Sequence, residues 1–90
     1  MTKQIEAIHK LESQLGITMT PGKYLRFVRR CMDMTQAELG LTLGVSRWTI
    51  YRIETGKKQL QVEEGHSIAS CLHIDARPLI GLIKKVQHDN

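Results

Sequence analysis

Residues 35–56 read TQAELGLTLGVSRWTIYRIETG, and this stretch decides the fold. Thr35-Gln36-Ala37-Glu38 is a T-x-x-E capping box, in which the Thr35 hydroxyl accepts from the Glu38 amide while the Glu38 carboxylate returns to the Thr35 N–H. Leu39 and Leu43 then face inward, and Gly44 supplies the left-handed residue that ends a short helix. Ser46 caps the next helix, with Val45 before it and Ile50 after it as a hydrophobic staple. Ile50 and Ile53 mark that helix's buried face, and Gly56 closes it. Two short helices joined by a three- or four-residue turn containing glycine make a helix-turn-helix by geometry alone.

Working outward, no segment alternates with period two, while apolar spacings of three and four recur throughout. Upstream, Thr20-Pro21 reads as an N-cap followed by proline at the first helical position. The helix it opens carries Leu25, Val28 and Met32 on one apolar stripe at i, i+3 and i+7 and stops near Asp33-Met34. Before it, Thr2 to Leu15 aligns Ile5, Ile8, Leu11 and Leu15 on one stripe, an amphipathic helix ending near Gly16. Downstream, Val62 to Leu72 turns Ile68, Ala69 and Leu72 inward, and Asp75 caps a last helix carrying Pro78 in its first turn. That helix bears a wide apolar face of Leu79, Ile80, Leu82, Ile83 and Val86. The expected fold is all-α: a compact bundle of about five helices plus the N-terminal helix. The division is an extension over 1–17 and a domain over 18–90, with the helix-turn-helix proper at about 35–56.

Composition narrows the function classes. Of 90 residues, 24 are Leu, Ile, Val or Phe, enough for one small core and too few for a two-lobed catalytic cleft. The net charge of +4 admits a polyanionic partner without demanding one. Its distribution says more. From Lys23 to Lys58 there are eight basic and three acidic residues, a surplus of five, whereas the remainder carries five basic and six acidic. An anionic partner should meet the central stretch. There is no membrane-length apolar run and no signal-peptide pattern, and Cys31 and Cys71 make no disulfide framework, so a cytoplasmic protein with reduced thiols is expected.

Burying Ile50 and Ile53 turns Arg47, Trp48, Tyr51, Arg52 and Thr55 to the other side of their helix. If that helix enters a DNA major groove, its first turn goes deepest, which places Arg47, Trp48 and Thr49 at base edges with Arg52 one turn later. An arginine can bond guanine O6 and N7 together, and Trp48, with one donor and a large apolar surface, suits a thymine methyl or the sugar wall. Gln36 opens the preceding helix, where free amides and the helix dipole favour a phosphate. Lys57 and Lys58, past Gly56, reach for the backbone across the groove. The competing reading makes Trp48 and Tyr51 core or interface aromatics and the two lysines a solvated loop.

The stretch from Leu25 to Leu60, LRFVRRCMDMTQAELGLTLGVSRWTIYRIETGKKQL, resembles the Xre/Cro family of phage-repressor-like helix-turn-helix proteins, and the likeness continues more weakly to about Ile80. TQAEL at the first helix, LGVS at the turn and IYRIETGKK through the reading helix carry it. The resemblance implies a five-helix bundle that binds operators as a two-fold dimer. By position it implies phosphate contacts from Gln36 and the amides around Thr35, base contacts from Arg47, Trp48 and Arg52, and far-strand contacts from Thr55, Lys57 and Lys58; beside these, Ser46 is expected at phosphate and Thr49 and Tyr51 at bases. It also implies a structural ion pair between Arg29 and Glu54. Gly40 stands where the family usually has alanine, which weakens that helix by roughly 1 kcal/mol. The resemblance says nothing of residues 2–16.

No enzyme is expected. His9, His66, His73 and His88 lack H-x-x-x-H spacing, and no phosphate loop, G-x-S-x-G or C-x-x-C occurs. His66, Cys71 and His73 read as surface histidines around a buried thiol, so neither metal nor cofactor is expected. The sequence reads as a homodimeric repressor of a palindromic operator in double-stranded DNA, with no ligand-binding domain and no membrane partner. Leu79, Ile80, Leu82, Ile83 and Val86 are the first expectation for the dimer contact, and the Ile5/Ile8/Leu11/Leu15 stripe the second. The rivals are an antitoxin-like or adaptor protein whose chief partner is a protein, and an activator of the same fold.

Overall fold

The computed structural model describes residues 19–81. The expected N-terminal helix and Leu82, Ile83 and Val86 lie outside the described residues. The described residues contain five helices and no strand: α1 Pro21–Cys31, α2 Gln36–Leu43, α3 Arg47–Glu54, α4 Val62–Leu72 and α5 Arg77–Ile80.

The start signals work as local chemistry requires. Thr20 accepts from the Lys23 amide ahead of Pro21. Thr35 and Glu38 complete their reciprocal box, at 3.0 Å and 2.8 Å. Ser46 accepts from the Thr49 amide at 3.2 Å. At the start of α4 the Glu64 carboxylate takes the Gln61 N–H at 2.9 Å. Between α2 and α3, Gly44 sits at φ +74°, a conformation that side-chain-bearing residues resist.

One core joins all five helices. Tyr24, Leu25 and Val28 of α1 meet Leu39 of α2, Ile50 and Ile53 of α3, Ile68, Ala69 and Leu72 of α4, and Leu79 of α5. The Tyr24 hydroxyl donates to the Asp75 carbonyl at 3.2 Å, tying α1 to the α4–α5 link. Burial, followed by the nearby Asp75 charge, pushes that phenol up to about 12.

Two glycines hold the helices close. A Cβ at Gly22 would strike the Ile53 and Glu54 carbonyls, so α1 can lie against the end of α3 only with glycine there. A Cβ at Gly40 would sit 2.6 Å from the Val45 carbonyl oxygen. Gly40 is therefore more than a weak helix former: it lets α2 approach the turn that launches α3.

Four expectations are corrected. Met32 is 40% exposed, because α1 ends at Cys31 and the chain turns away through Asp33 at φ +58°. Cys71 is exposed, since the inward stripe of Ile68, Ala69 and Leu72 leaves it to one side of α4; its thiol reaches the Thr42 carbonyl at 3.6 Å. Gly81, left-handed at φ +77°, ends α5 after Ile80, so the last helix stops within the described residues instead of running on through position 81. Leu79 itself is 1% exposed within the bundle's own core and cannot serve as a dimer contact.

Candidate nucleic-acid interface

The position of α3 is set from its buried end. Glu54 is the last residue of α3, and its carboxylate is fully enclosed. Arg29 of α1 donates to it twice, Nε to Oε2 at 2.7 Å and Nη2 to Oε1 at 3.0 Å. Arg26 adds Nε to Oε1 at 3.4 Å, and Gln36 of α2 adds Nε2 to Oε1 at 3.1 Å. The third face of the Arg29 fork holds the Met34 carbonyl at 2.8 Å, just before α2 begins. Burial would raise the Glu54 pKa, but the hydrogen bonds from Arg29, Gln36 and Arg26 and the Arg29 charge outweigh it, and the carboxyl lies below its ordinary value. One carboxylate thus fastens three helices together.

With Ile50, Ile53 and Glu54 holding its inner side, α3 turns the rest of its surface outward. Arg47, Trp48 and Arg52 are exposed, Tyr51 only just so, and Thr49 is half-buried. Trp48 is 61% exposed, which removes the core reading of this aromatic. The outer side chains are ordered against one another. The Arg47 guanidinium lies 5.5 Å from the Trp48 ring centroid, Trp48 and Tyr51 meet edge to face at 5.8 Å, and the Lys57 ammonium lies 5.5 Å from the Tyr51 centroid. Cation, indole, phenol and cation form one row. The i, i+3 spacing of Trp48 and Tyr51 carries that signal in the sequence, where treating the two rings separately conceals it.

The residues expected at phosphates divide. The Thr35 amide is taken by the Glu38 carboxylate, while the Thr35 hydroxyl acts only as acceptor from the Glu38 amide and so keeps its proton to donate; Ser46 and Thr49 share their hydroxyls at 3.2 Å. The Gln36 side chain, expected to point at phosphate, is instead drawn back by the buried Glu54 charge, so one of its two amide protons is already in use. The Thr55 hydroxyl donates to the Tyr51 carbonyl at 2.8 Å; as oriented, it has no proton to offer a phosphate, which can only accept. Lys58 bridges to Glu64 at 3.3 Å and so leans towards α4, while Lys57 stays on the reading side. Two links to Glu54, from Arg26 and Gln36, escaped the sequence because no spacing rule brings α1, α2 and α3 to one point.

A helix-turn-helix family model matches residues 25–79, more than half of the chain. The chain belongs to the Xre/Cro-like helix-turn-helix family. This helix-turn-helix protein is a DNA-binding transcriptional regulator acting on double-stranded DNA. No curated protein and no solved structure gave a match. Among the described residues no helix is long and apolar enough to cross a membrane.

Proposed function

We propose that this regulator is a sequence-specific repressor that binds a palindromic or near-palindromic operator as a homodimer and blocks transcription by occupying it. The observation that carries the reading is α3 itself: its inner side is held by Ile50, Ile53 and Glu54, and its outer side presents Arg47, Trp48, Tyr51 and Arg52 together. In a major groove those four, with Thr49, face base edges, and Arg47 and Arg52 select guanine. Thr35, Gln36 through its backbone amide, Ser46 and Lys57 sit at the flanking phosphates and set register. Ile80 remains as a dimer contact, together with Leu82, Ile83 and Val86. Half-sites then lie about 10–10.5 base pairs apart.

A salt titration tests this. Binding to a selected site should weaken linearly in log K against log salt, with a slope of several phosphates, and random DNA should bind far more weakly at the same salt. A slope near zero removes DNA as the partner. Equal affinity for both DNAs removes sequence specificity.

A further inference from the structure

The outer row on α3 contains a shape that suits one feature of the major groove. Trp48 and Tyr51 stand at 87° to one another with centroids 5.8 Å apart, so together they form an apolar corner. Gln36 and Arg47 complete the rim of that open concavity. A platform for stacking an unpaired base needs a flat, free ring face. Here a guanidinium lies over the indole and a second ring stands perpendicular to it, which breaks such a platform up. The corner instead fits a small apolar group, and the major groove offers one on its base edges, the pyrimidine C5-methyl. Stacked base pairs rise by about 3.4 Å, so the 5.5 Å between the Arg47 guanidinium and the Trp48 ring spans one to two steps.

We infer that the Trp48–Tyr51 corner reads the C5-methyl group of a thymine or 5-methylcytosine lying within two steps of a guanine bonded by Arg47. The determinant at that position is the methyl group, not a hydrogen-bonding edge. The inference rests on the DNA reading above and adds the chemical group that this part of α3 recognises.

Selection of the full chain against a randomised duplex library supplies the preferred sites. If no sequence is enriched, the sequence-specific reading falls and this inference falls with it. With sites in hand, deoxyuridine replaces each thymine in turn, removing only the methyl. The expected result is one sensitive position per half-site near the selected guanine, with affinity falling about fourfold there, the worth of one buried methyl group. At the same position 5-methylcytosine should bind more tightly than cytosine by a similar factor. Trp48→Ala should bind thymine and uracil duplexes alike while keeping its guanine preference. Tyr51→Leu should reduce the same difference. Because Trp48 is exposed, both measurements use folded protein, checked by far-ultraviolet circular dichroism. If enriched sites show no methyl-sensitive position, or Trp48→Ala still distinguishes thymine from uracil, the inference is overturned while the DNA reading stands.

Discussion

Arg29 grips Glu54 through two hydrogen bonds, at 2.7 and 3.0 Å, and this pair joins the first helix to the end of the reading helix. The side chain of Glu54 is wholly buried and that of Arg29 is 12% exposed, so the carboxylate depends on its protein partners rather than on water. Arg26 and Gln36 converge on the same carboxylate, making it the point where α1, α2 and α3 are held in register.

Removing one member of such a cluster is costlier than the cluster's net worth, because the remaining charge is left buried. Glu54→Ala should therefore destabilise the fold by about 3 kcal/mol, with Glu54→Gln milder since it still accepts from Arg29. Urea unfolding midpoints check this; a Glu54→Ala change below about 1 kcal/mol would show the cluster to be peripheral.

The same carboxylate makes stability depend on acid. Its folded pKa lies below the ordinary 4.5, so above that value it is charged in both folded and unfolded chains and its contribution is complete. As pH drops past 4.5 the unfolded chain takes up a proton first, and the contribution is lost as pH falls through the folded value. Asp75, held low first by its hydrogen bond to Arg77, acts in the same direction. The melting temperature should fall steadily below about pH 4.5, and Glu54→Gln should show a shallower fall. Parallel curves for the two proteins would remove Glu54 as a cause.

Helix propensity and packing give opposite signs at Gly40. Propensity alone says that Gly40→Ala stabilises by roughly 1 kcal/mol. A Cβ there would lie 2.6 Å from the Val45 carbonyl oxygen, which belongs to backbone and cannot swing aside. The expected outcome is destabilisation by about 1–3 kcal/mol, read from denaturant midpoints. A gain in stability would mean that the turn yields easily.

Arg47→Ala and Arg52→Ala should each lower affinity for a selected site by about 1–3 kcal/mol and leave binding to random DNA nearly unchanged. Titrations on the two DNAs separate the effects. An equal loss on both would assign that arginine to phosphate.

Thr55 and Lys57 should differ from one another. With its hydroxyl already donating to Tyr51, Thr55→Val should leave DNA affinity within about twofold of the parent, since the change removes no phosphate contact. Lys57→Ala should weaken all sequences alike and lower the salt slope by about one. A Thr55→Val variant losing affinity in the manner of Lys57→Ala would show that the hydroxyl rotates towards DNA.

Much of this protein was decided by signals a few residues apart. Thr20-Pro21, Thr35 with Glu38, and Ser46 set the starts of three helices, and the apolar spacing selected Leu39, Ile50, Ile53, Ile68 and Leu72 for the core. Those devices act within one or two turns, so chain order alone determines them, and the outward face of α3 followed from its inward one. Tertiary structure decided what depends on meeting across the bundle: the convergence of Arg26, Arg29 and Gln36 on Glu54, the need for glycine at positions 22 and 40, and the internal use of the Thr55 and Lys58 donors. It also placed Leu79 inside and Cys71 outside, because which edge of a helical stripe is covered depends on where the neighbouring helix crosses it. A buried charge draws donors from wherever they lie in sequence, and a carbonyl blocks a Cβ only when another segment brings it near.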